Sequence, residues 1–258
     1  MTTRPLATTP EPRPLFVRPG FAYFWGCGTP SPPPVTAPMI VTIDGPAGSG
    51  KSTAAVALAA RLGFEYLDTG AMYRAVALAL TRRGVDAGDA EAVRAALAGL
   101  SVEVPPGRVV LDGHDVTAAI RAPGVSQAAS RVAVIPAVRR FLAAQQRRAA
   151  EGRRIITEGR DQGTAVFPDA GCKFFLTADA RARAERRHRE LLERGLDIPL
   201  ADVFEEILER DHRDSTRADS PLIRSDDAVV IDTTDLPPDA VVARMEAEVR
   251  RRCPTART

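Results

Sequence analysis

From residue 39 onward, short apolar runs alternate with segments in which apolar residues recur every three or four positions. Short runs bounded by turn residues are typical of buried strands, and longer periodic segments are typical of amphipathic helices. The predicted strands cover residues 39–43, 64–67, 154–157, 173–177 and 228–232. The predicted helices cover residues 52–62, 69–83, 90–97, 136–151, 180–194, 201–218 and 239–252. Apolar strands separated by helices predict an α/β fold, with a parallel sheet covered by helices on both faces.

The period changes to two in the middle of the chain. Residues 101–104, 108–111 and 114–116 read as short strands, and Pro-Pro-Gly and Asp-Gly sequences separate them. Such sequences mark tight turns between antiparallel strands. We therefore expect a small antiparallel-strand subdomain, inserted at about residues 98–120.

Residues 1–38 differ from the rest, being rich in proline and without a helical or strand period. We expect a disordered extension there, because the segment has too little apolar surface to offset the entropy of ordering it. An organelle transit segment is an alternative, whereas a signal peptide fits poorly because the aromatic patch is short. A further alternative is that translation starts at Met39, in which case residues 1–38 would be an upstream extension with no function. The expected organisation is one domain at residues 39–253 and a disordered tail at 254–258.

Composition narrows the possible partners. The formal net charge is +2, and lysine and arginine form no block that would indicate a nucleic-acid partner. No run approaches the roughly 18 consecutive apolar residues of a membrane-spanning helix, so no membrane partner is expected.

The metal-binding and thiol residues are few and scattered. They are Cys27, Cys172 and Cys253 and, well separated from them, His114, His188 and His212. This spacing argues against a structural zinc site and a disulfide framework, and it fits a cytoplasmic protein.

Residues 45–52 read G-P-A-G-S-G-K-S and match the pattern G-x-x-x-x-G-K-S/T between a predicted strand and a predicted helix. In such a loop, backbone N–H groups surround phosphate oxygens, the lysine reaches the outer phosphates and the hydroxyl ligates Mg²⁺. The loop therefore predicts a nucleotide triphosphate site that uses Lys51 and Ser52. An ordinary turn with a surface lysine is disfavoured, because the chain has only two lysines, Lys51 and Lys173.

Two further segments suit the binding of a second substrate. In residues 68–74, D-T-G-A-M-Y-R, a threonine hydroxyl at a helix start precedes Arg74 by about one turn. In residues 155–164 a predicted strand is followed by Arg160 and Asp161, at the sheet edge where α/β proteins bind ligands. The alternative for residues 68–74 is an ordinary helix cap with a surface arginine. The alternative for Arg160 and Asp161 is a surface ion pair in a turn.

A third segment, residues 209–217, places Arg210, Asp214 and Arg217 four and three positions apart. This spacing puts the three side chains on one helix face. Taken alone, the segment fits a solvated ion-pair face better than a binding site.

Together these segments resemble the bacterial cytidylate kinase family over residues 39–252. The motifs I-D-G-P-A-G-S-G-K-S-T, L-D-T-G-A-M-Y-R, A-A-S-R-V-A-x-x-P-x-V-R, G-R-D-x-G-T-x-V-F-P-D-A and R-D-x-R-D-S-x-R occur in the family's order and spacing. The resemblance implies a P-loop nucleoside monophosphate kinase core, a monophosphate-binding insert and a helical lid at about residues 181–197. It also implies phosphoryl transfer from ATP to CMP and dCMP, with Mg²⁺ as the cofactor, by a monomer.

The resemblance further implies roles for individual residues. ATP would be held by Gly45, Pro46, Ala47, Gly48, Ser49, Gly50, Lys51, Ser52 and Thr53. CMP would be held by Thr69, Arg74, Ser130, Arg139, Arg160, Asp161, Arg210, Asp214 and Arg217, of which Ser130, Arg139 and Asp161 would read the base. The catalytic set would be Lys51, Arg160 and Asp161. The lid arginines would be Arg181, Arg183, Arg186, Arg187 and Arg189.

Two positions depart from the family pattern. Glu158 stands where aspartate is frequent, and we expect it to orient Mg²⁺ through water beside Ser52. Gln162 replaces an apolar residue after the Arg-Asp pair, which leaves the local packing open.

Three other functions remain alternatives. A small-molecule kinase for AMP, UMP or a non-nucleotide acceptor would share the phosphate loop. A switch GTPase would need an N-K-x-D guanine-binding motif, which the sequence around Lys173 does not provide. An RNA-binding protein would need exposed aromatics beside a basic stripe, and only 5% of the residues are aromatic.

Overall fold

The computed structural model describes residues 38–122 and 124–252. The disorder predicted for the N-terminal extension and for the tail at 254–258 concerns residues outside these ranges, apart from Pro38. Cys27 and Cys253 also lie outside the described residues.

Five strands form the central sheet. They are β1 (Met39–Asp44), β2 (Glu65–Asp68), β6 (Arg154–Gly159), β7 (Cys172–Thr177) and β8 (Val229–Asp232). Their order across the sheet is β2-β6-β1-β7-β8, and every neighbouring pair is parallel. The predicted α/β fold with a parallel sheet is confirmed. Because the strands run in one direction, the loops that follow β1, β2 and β6 meet at a single edge.

Helices surround this sheet. They are α1 (Lys51–Leu62), α2 (Thr69–Arg82), α3 (Ala90–Leu97), α4 (Val125–Val132), α5 (Pro136–Ala150), α6 (Ala180–Glu193), α7 (Leu200–Thr216) and α8 (Pro238–Arg252). None of the helices in the described ranges is long and apolar enough to cross a membrane.

Two apolar cores lie on the two faces of the sheet, as predicted. On one face, Leu58 of α1 and Met245 of α8 pack with Phe174 of the sheet. On the other face, Met72 of α2 and Leu142 of α5 belong to a second buried cluster. Helices α6 and α7 pack on each other through a separate small cluster. The position of α6 and α7 therefore depends less on the main cores than that of the other helices.

The inserted subdomain consists of β3 (Val102–Glu103), β4 (Val110–Leu111) and β5 (His114–Asp115), paired antiparallel in sequence order. The Asp-Gly turn between β4 and β5 has φ of 48° and 79° at its two residues, as a type I′ turn requires. The strands are shorter than predicted. Between β4 and β5 the ladder ends where the Thr117 hydroxyl accepts the N–H of Val109.

Three local features differ from the sequence expectations. Helix α4 was not predicted: Val125, Ala128, Ala129 and Val132 do recur at helical spacing, but the helix has only eight residues and no side-chain N-cap to mark its start. A single π-helical turn, Gln162–Val166, follows β6. Helix α7 ends at Thr216 and not at 218; the hydroxyls of Ser215 and Thr216 donate to backbone carbonyls of the preceding turn, which competes with continued helix.

Candidate active site

A cleft of about 560 Å³ opens at the carboxyl edge of the parallel sheet. Its walls come from the loop after β1, the start of α2, helices α4 and α5, the loop after β6, and helices α6 and α7. The cleft thus collects segments that are far apart in the sequence. It is also where ligands bind in open α/β sheets.

The loop between β1 and α1 is closely packed against its neighbours. Gly45 has φ of 149°, and a Cβ atom there would lie 2.0 Å from the carbonyl oxygen of Leu176. Gly48 has φ of 73°, and a Cβ atom there would lie 2.9 Å from the carbonyl oxygen of Arg183. Glycine is therefore required at both positions, by backbone conformation and by space.

Lys51 is the first residue of α1, and only 5% of it is exposed. Its Nζ donates hydrogen bonds to the carbonyl oxygen of Pro46 at 2.6 Å and to Ser49 Oγ at 3.3 Å. Burial, reinforced by the positive charge of Arg160, lowers the pKa of Lys51 from 10.5 to about 7. An anionic ligand would offset both effects, so this ammonium is suited to phosphate.

Ser52 and Glu158 form a group of oxygen atoms beside the loop. Ser52 Oγ donates to Glu158 Oε1 at 2.5 Å, and the Tyr66 hydroxyl donates to the same oxygen at 3.0 Å. Burial, and after it the charge of Glu158, raises the pKa of Tyr66, so the hydroxyl keeps its proton. Hydroxyl and carboxylate oxygens are the ligands that Mg²⁺ prefers. The residues present therefore fit a magnesium site.

This group would bind Mg²⁺ only together with other ligands. In the part of the chain that the structure describes, no three His, Cys, Asp or Glu side chains form a cluster that could hold a metal. Mg²⁺ commonly takes one or two protein oxygens and completes its octahedron with waters and substrate phosphates. The Ser52–Glu158 group matches that arrangement.

The start of α2 contributes a basic side chain to the same cleft. Asp68 caps the helix by accepting the N–H of Ala71 at 2.7 Å, and it pairs with Arg74 at 3.2 Å. The hydroxyl of Thr69 is buried and donates to the backbone carbonyl of Glu158 at 2.5 Å. Asp68 is thus the N-cap of α2. Thr69 instead links α2 to the end of β6.

Asp214 of α7 connects the arginines on one side of the cleft. Its carboxylate accepts from Arg160 Nε at 2.8 Å and lies 4.0 Å from Arg210 Nε and 3.8 Å from Arg217 Nη1. Burial alone would raise the pKa of Asp214, but Arg160 and Arg210 outweigh it and hold the pKa below its ordinary value. Three guanidinium groups around one carboxylate leave net positive charge for an anion.

Arg139 and Asp161 form a buried ion pair deeper in the cleft, in which Arg139 Nη2 donates to Asp161 Oδ2. Arg139 Nη1 also donates to the Tyr73 hydroxyl at 3.3 Å and to the carbonyl of Ala133 at 3.2 Å. Ser130 Oγ is buried in the same wall, with no hydrogen-bond partner among the described residues. This wall combines a forked donor, a carboxylate and an unpartnered hydroxyl, which suits a flat polar group such as a nucleobase.

The comparisons with known proteins agree with this geometry. The family model for cytidylate kinase matches residues 41–251, which is most of the chain. The chain belongs to the cytidylate kinase family. The prediction of this family, and with it of a kinase, is confirmed.

Three curated cytidylate kinases illustrate the similarity. That of Solibacter usitatus (strain Ellin6076) is 50% identical over 200 residues, covering 77% of this chain and 86% of that protein. That of Rhodococcus opacus (strain B4) is 48% identical over 222 residues, covering 84% and 97%. That of Caldanaerobacter subterraneus subsp. tengcongensis is 46% identical over 211 residues, covering 82% and 94%.

Most residues that the resemblance implied line this one cleft in the cytidylate kinase fold. They are Ala47, Gly48, Ser49, Gly50, Lys51, Ser52, Thr53, Thr69, Arg74, Ser130, Arg139, Glu158, Arg160, Asp161, Arg186, Arg187, Arg189, Arg210, Asp214 and Arg217. Gly45 and Pro46 lie outside the lining and form the beginning of the loop.

The lid arginines separate into different environments. The side chain of Arg181 is 80% exposed and pairs with Glu185. Arg183 is 6% exposed; its Nη1 donates to the carbonyl of Ala47 at 3.0 Å and to Asp211 at 2.5 Å. Arg186 donates to the Thr233 hydroxyl at 3.0 Å. Arg183 thus contacts the loop between β1 and α1, whereas Arg186, Arg187 and Arg189 line the cleft.

Sequence reasoning missed several polar residues around the cleft. Tyr66, Tyr73 and Asp44 were not singled out. Two of them lie within quoted motifs: Tyr73 in D-T-G-A-M-Y-R and Asp44 in I-D-G-P. Asp211 accepts the N–H of Ala47 at 3.3 Å, a contact across 164 residues that no local pattern indicates. The signal available for Asp44 and Tyr73 was a polar residue inside a matched motif.

Proposed function

We propose that the protein transfers the γ-phosphoryl group of ATP to the phosphate of CMP, and also of dCMP, with Mg²⁺ as the cofactor. The observation that carries the proposal is one cleft with two walls of different chemistry. One wall has the phosphate loop with Lys51, and the other has the Arg139–Asp161 pair. Membership of the cytidylate kinase family supports the choice of acceptor.

The reaction breaks the bond between the γ-phosphorus and the β,γ-bridging oxygen, and it forms a bond from that phosphorus to a phosphate oxygen of CMP. ADP leaves with the electron pair. Such transfers depend on positioning and charge neutralisation. Lys51 would neutralise the outer phosphates of ATP, and Arg74, Arg160 and Arg210 would hold the acceptor phosphate. No covalent nucleophile on the protein is needed.

Ser52 and Glu158 would hold Mg²⁺, Ser52 directly and Glu158 through water. The ion would supply additional neutralisation of the phosphate charge. The Tyr66 hydroxyl, by donating to Glu158, would keep that carboxylate beside Ser52.

Arg139, Asp161 and Ser130 would read the base, and Asp214 and Arg217 would lie at the sugar and phosphate. Asp161 would act by orientation, because an acceptor phosphate is already largely ionised at neutral pH and needs no strong base. We place the lid at about residues 181–197, where α6 and α7 share only a small core of their own. Closure of such a segment would exclude water and limit hydrolysis of ATP.

An ADP-release assay against a panel of acceptors tests the proposal. CMP and dCMP should support rapid turnover, whereas AMP, UMP and a no-acceptor control should not. Preference for AMP, UMP or a non-nucleotide acceptor would refute the assigned substrate, and activity without added Mg²⁺ would refute the assigned cofactor.

A further inference from the structure

Asp161 begins a tight turn that its own carboxylate does not cap. The π-helical turn Gln162–Val166 closes on the carbonyl oxygen of Asp161, which accepts the N–H groups of Ala165 at 2.9 Å and Val166 at 3.2 Å. The first N–H groups of a helical turn have no partner within it, and a preceding aspartate commonly accepts them. The carboxylate of Asp161 is instead paired with Arg139. Some other group must therefore satisfy these N–H groups.

Asp44 supplies that cap from a distant part of the chain. It is the last residue of β1 and 5% exposed. Its Oδ1 accepts the N–H of Gln162 at 2.8 Å, and its Oδ2 accepts the N–H of Gly163 at 2.7 Å. One buried carboxylate therefore satisfies the first two N–H groups after Asp161.

The turn also lies directly against β1. A Cβ atom at Gly163 would lie 2.9 Å from Thr42 Oγ1 and 3.4 Å from Asp44 Oδ2. The backbone of the turn has little room to move relative to Asp44. The position of Asp161, one residue earlier, is thereby tied to the end of the central strand.

We propose that Asp44 is a positioning residue for base selection. By capping the turn in place of Asp161, it leaves the carboxylate of Asp161 directed at Arg139 and at the exocyclic amine of the base. This inference rests on the proposed function, since it concerns how CMP is distinguished from UMP.

Replacement of Asp44 by asparagine should redirect Asp161. An asparagine oxygen can accept one of the two N–H groups, but its amide nitrogen is a donor and would face the other. With one of the two N–H groups unsatisfied, the turn would shift away from residue 44, and the carboxylate of Asp161, one residue before the turn, would shift with it relative to Arg139. Any loss in the phosphate-transfer step would affect both substrates alike, so the ratio of their specificity constants isolates the effect on the base.

The experiment measures kcat/KM for CMP and for UMP in the wild type, Asp44→Asn and a control, Gln162→Met. The control removes the side-chain bonds of Gln162 to Thr157 and Gln146 but keeps its N–H on Asp44. The CMP:UMP ratio should fall about tenfold or more in Asp44→Asn and stay within about twofold of the wild type in Gln162→Met. Circular dichroism melting establishes that each variant is folded.

A folded Asp44→Asn with an unchanged ratio would overturn the proposal, and so would an equal fall in both variants, which would indicate general loss of packing. If Asp44→Asn does not fold, Gly163→Ala carries the test, because its methyl group would push the turn away from Asp44 and Thr42. An unchanged ratio in folded Gly163→Ala would then overturn the proposal. A wild type that uses CMP no better than UMP would refute the base assignment in the proposed function, a result distinct from either of these.

Discussion

The Nζ atom of Lys51 lies 2.6 Å from the carbonyl oxygen of Pro46, five residues earlier in the same loop. The side chain is thus turned back into its own loop, in a buried position where the pKa falls to about 7. Unpaired buried charge is costly, and a carbonyl dipole offsets only part of that cost. An anionic ligand would therefore stabilise the charged form of Lys51.

Lys51→Met should lower turnover by orders of magnitude without reducing the melting temperature at pH 7. The pKa of Lys51 is about 7 in the folded protein and 10.5 in the unfolded chain. The unfolded chain therefore binds the extra proton between these values, and wild-type stability gains with rising pH across that window. The stability advantage of Lys51→Met should be largest at or below pH 7 and shrink toward pH 10. Turnover near that of the wild type would refute the role of the loop.

Binding of MgATP should draw in a proton at alkaline pH. At pH 8 the amine of Lys51 is mostly neutral, whereas at pH 6 it already carries its proton. Calorimetric titrations in buffers of different ionisation enthalpy should show uptake of about one proton at pH 8 and little at pH 6. Lys51→Met is the control and should show little uptake at either pH. Equal uptake in the variant would assign the proton to another group.

Arg183→Met should weaken ATP binding through the loop. Arg183 donates to the carbonyl of Ala47, and its partner Asp211 accepts the N–H of the same residue. Loss of this support should raise KM for ATP severalfold and change KM for CMP much less. Arg181→Met, on the same helix but with an 80% exposed side chain, is the matched control and should leave both constants unchanged. An equal effect on both KM values would indicate a general loss of folding.

The central sheet and the phosphate loop could be predicted because their signals are local. An apolar strand, a glycine-rich turn and a helix follow one another within residues 39–62, and each restricts the next. The exact ends of the helices and strands, and the short helix α4, could not be predicted from the sequence. Helix α4 has only eight residues and no side-chain N-cap, so it was missed, yet it contributes Ser130 to the cleft.

Contacts between distant segments could not be predicted from the sequence. The bonds from Asp44 to residues 162 and 163, and from Asp211 to Ala47, depend on how strands and helices are arranged in space. The packing around Gln162 could not be predicted for the same reason. It is buried, and its side chain accepts from Thr157 and donates to Gln146, so a polar residue is accommodated by polar partners.

Arg139→Met should damage the use of CMP far more than the use of UMP. Cytosine offers acceptors at O2 and N3 and a donor at its amine, whereas uracil presents a donor at N3 and an acceptor at O4. The forked guanidinium of Arg139 can donate to O2 and N3 of cytosine, while Asp161 or Ser130 accepts from the amine. UMP would set donor against donor and acceptor against acceptor. In a buried wall such mismatches cost a few kcal/mol, or roughly a hundredfold in specificity.

The four kcat/KM values, for CMP and UMP in the wild type and in Arg139→Met, decide this prediction. Removal of the guanidinium takes away the donors that reject uracil, so the CMP:UMP ratio should shrink toward unity. Part of the loss will also come from the carboxylate of Asp161, which among the described residues would keep the more distant Arg217 at 3.6 Å as its counter-charge. Because the Asp161 carboxylate would accept from the cytosine amine, that loss also falls mainly on CMP and lowers the CMP:UMP ratio in the same direction. A ratio that the substitution leaves unaltered would remove Arg139 from base recognition and transfer the role to Ser130 or Asp161.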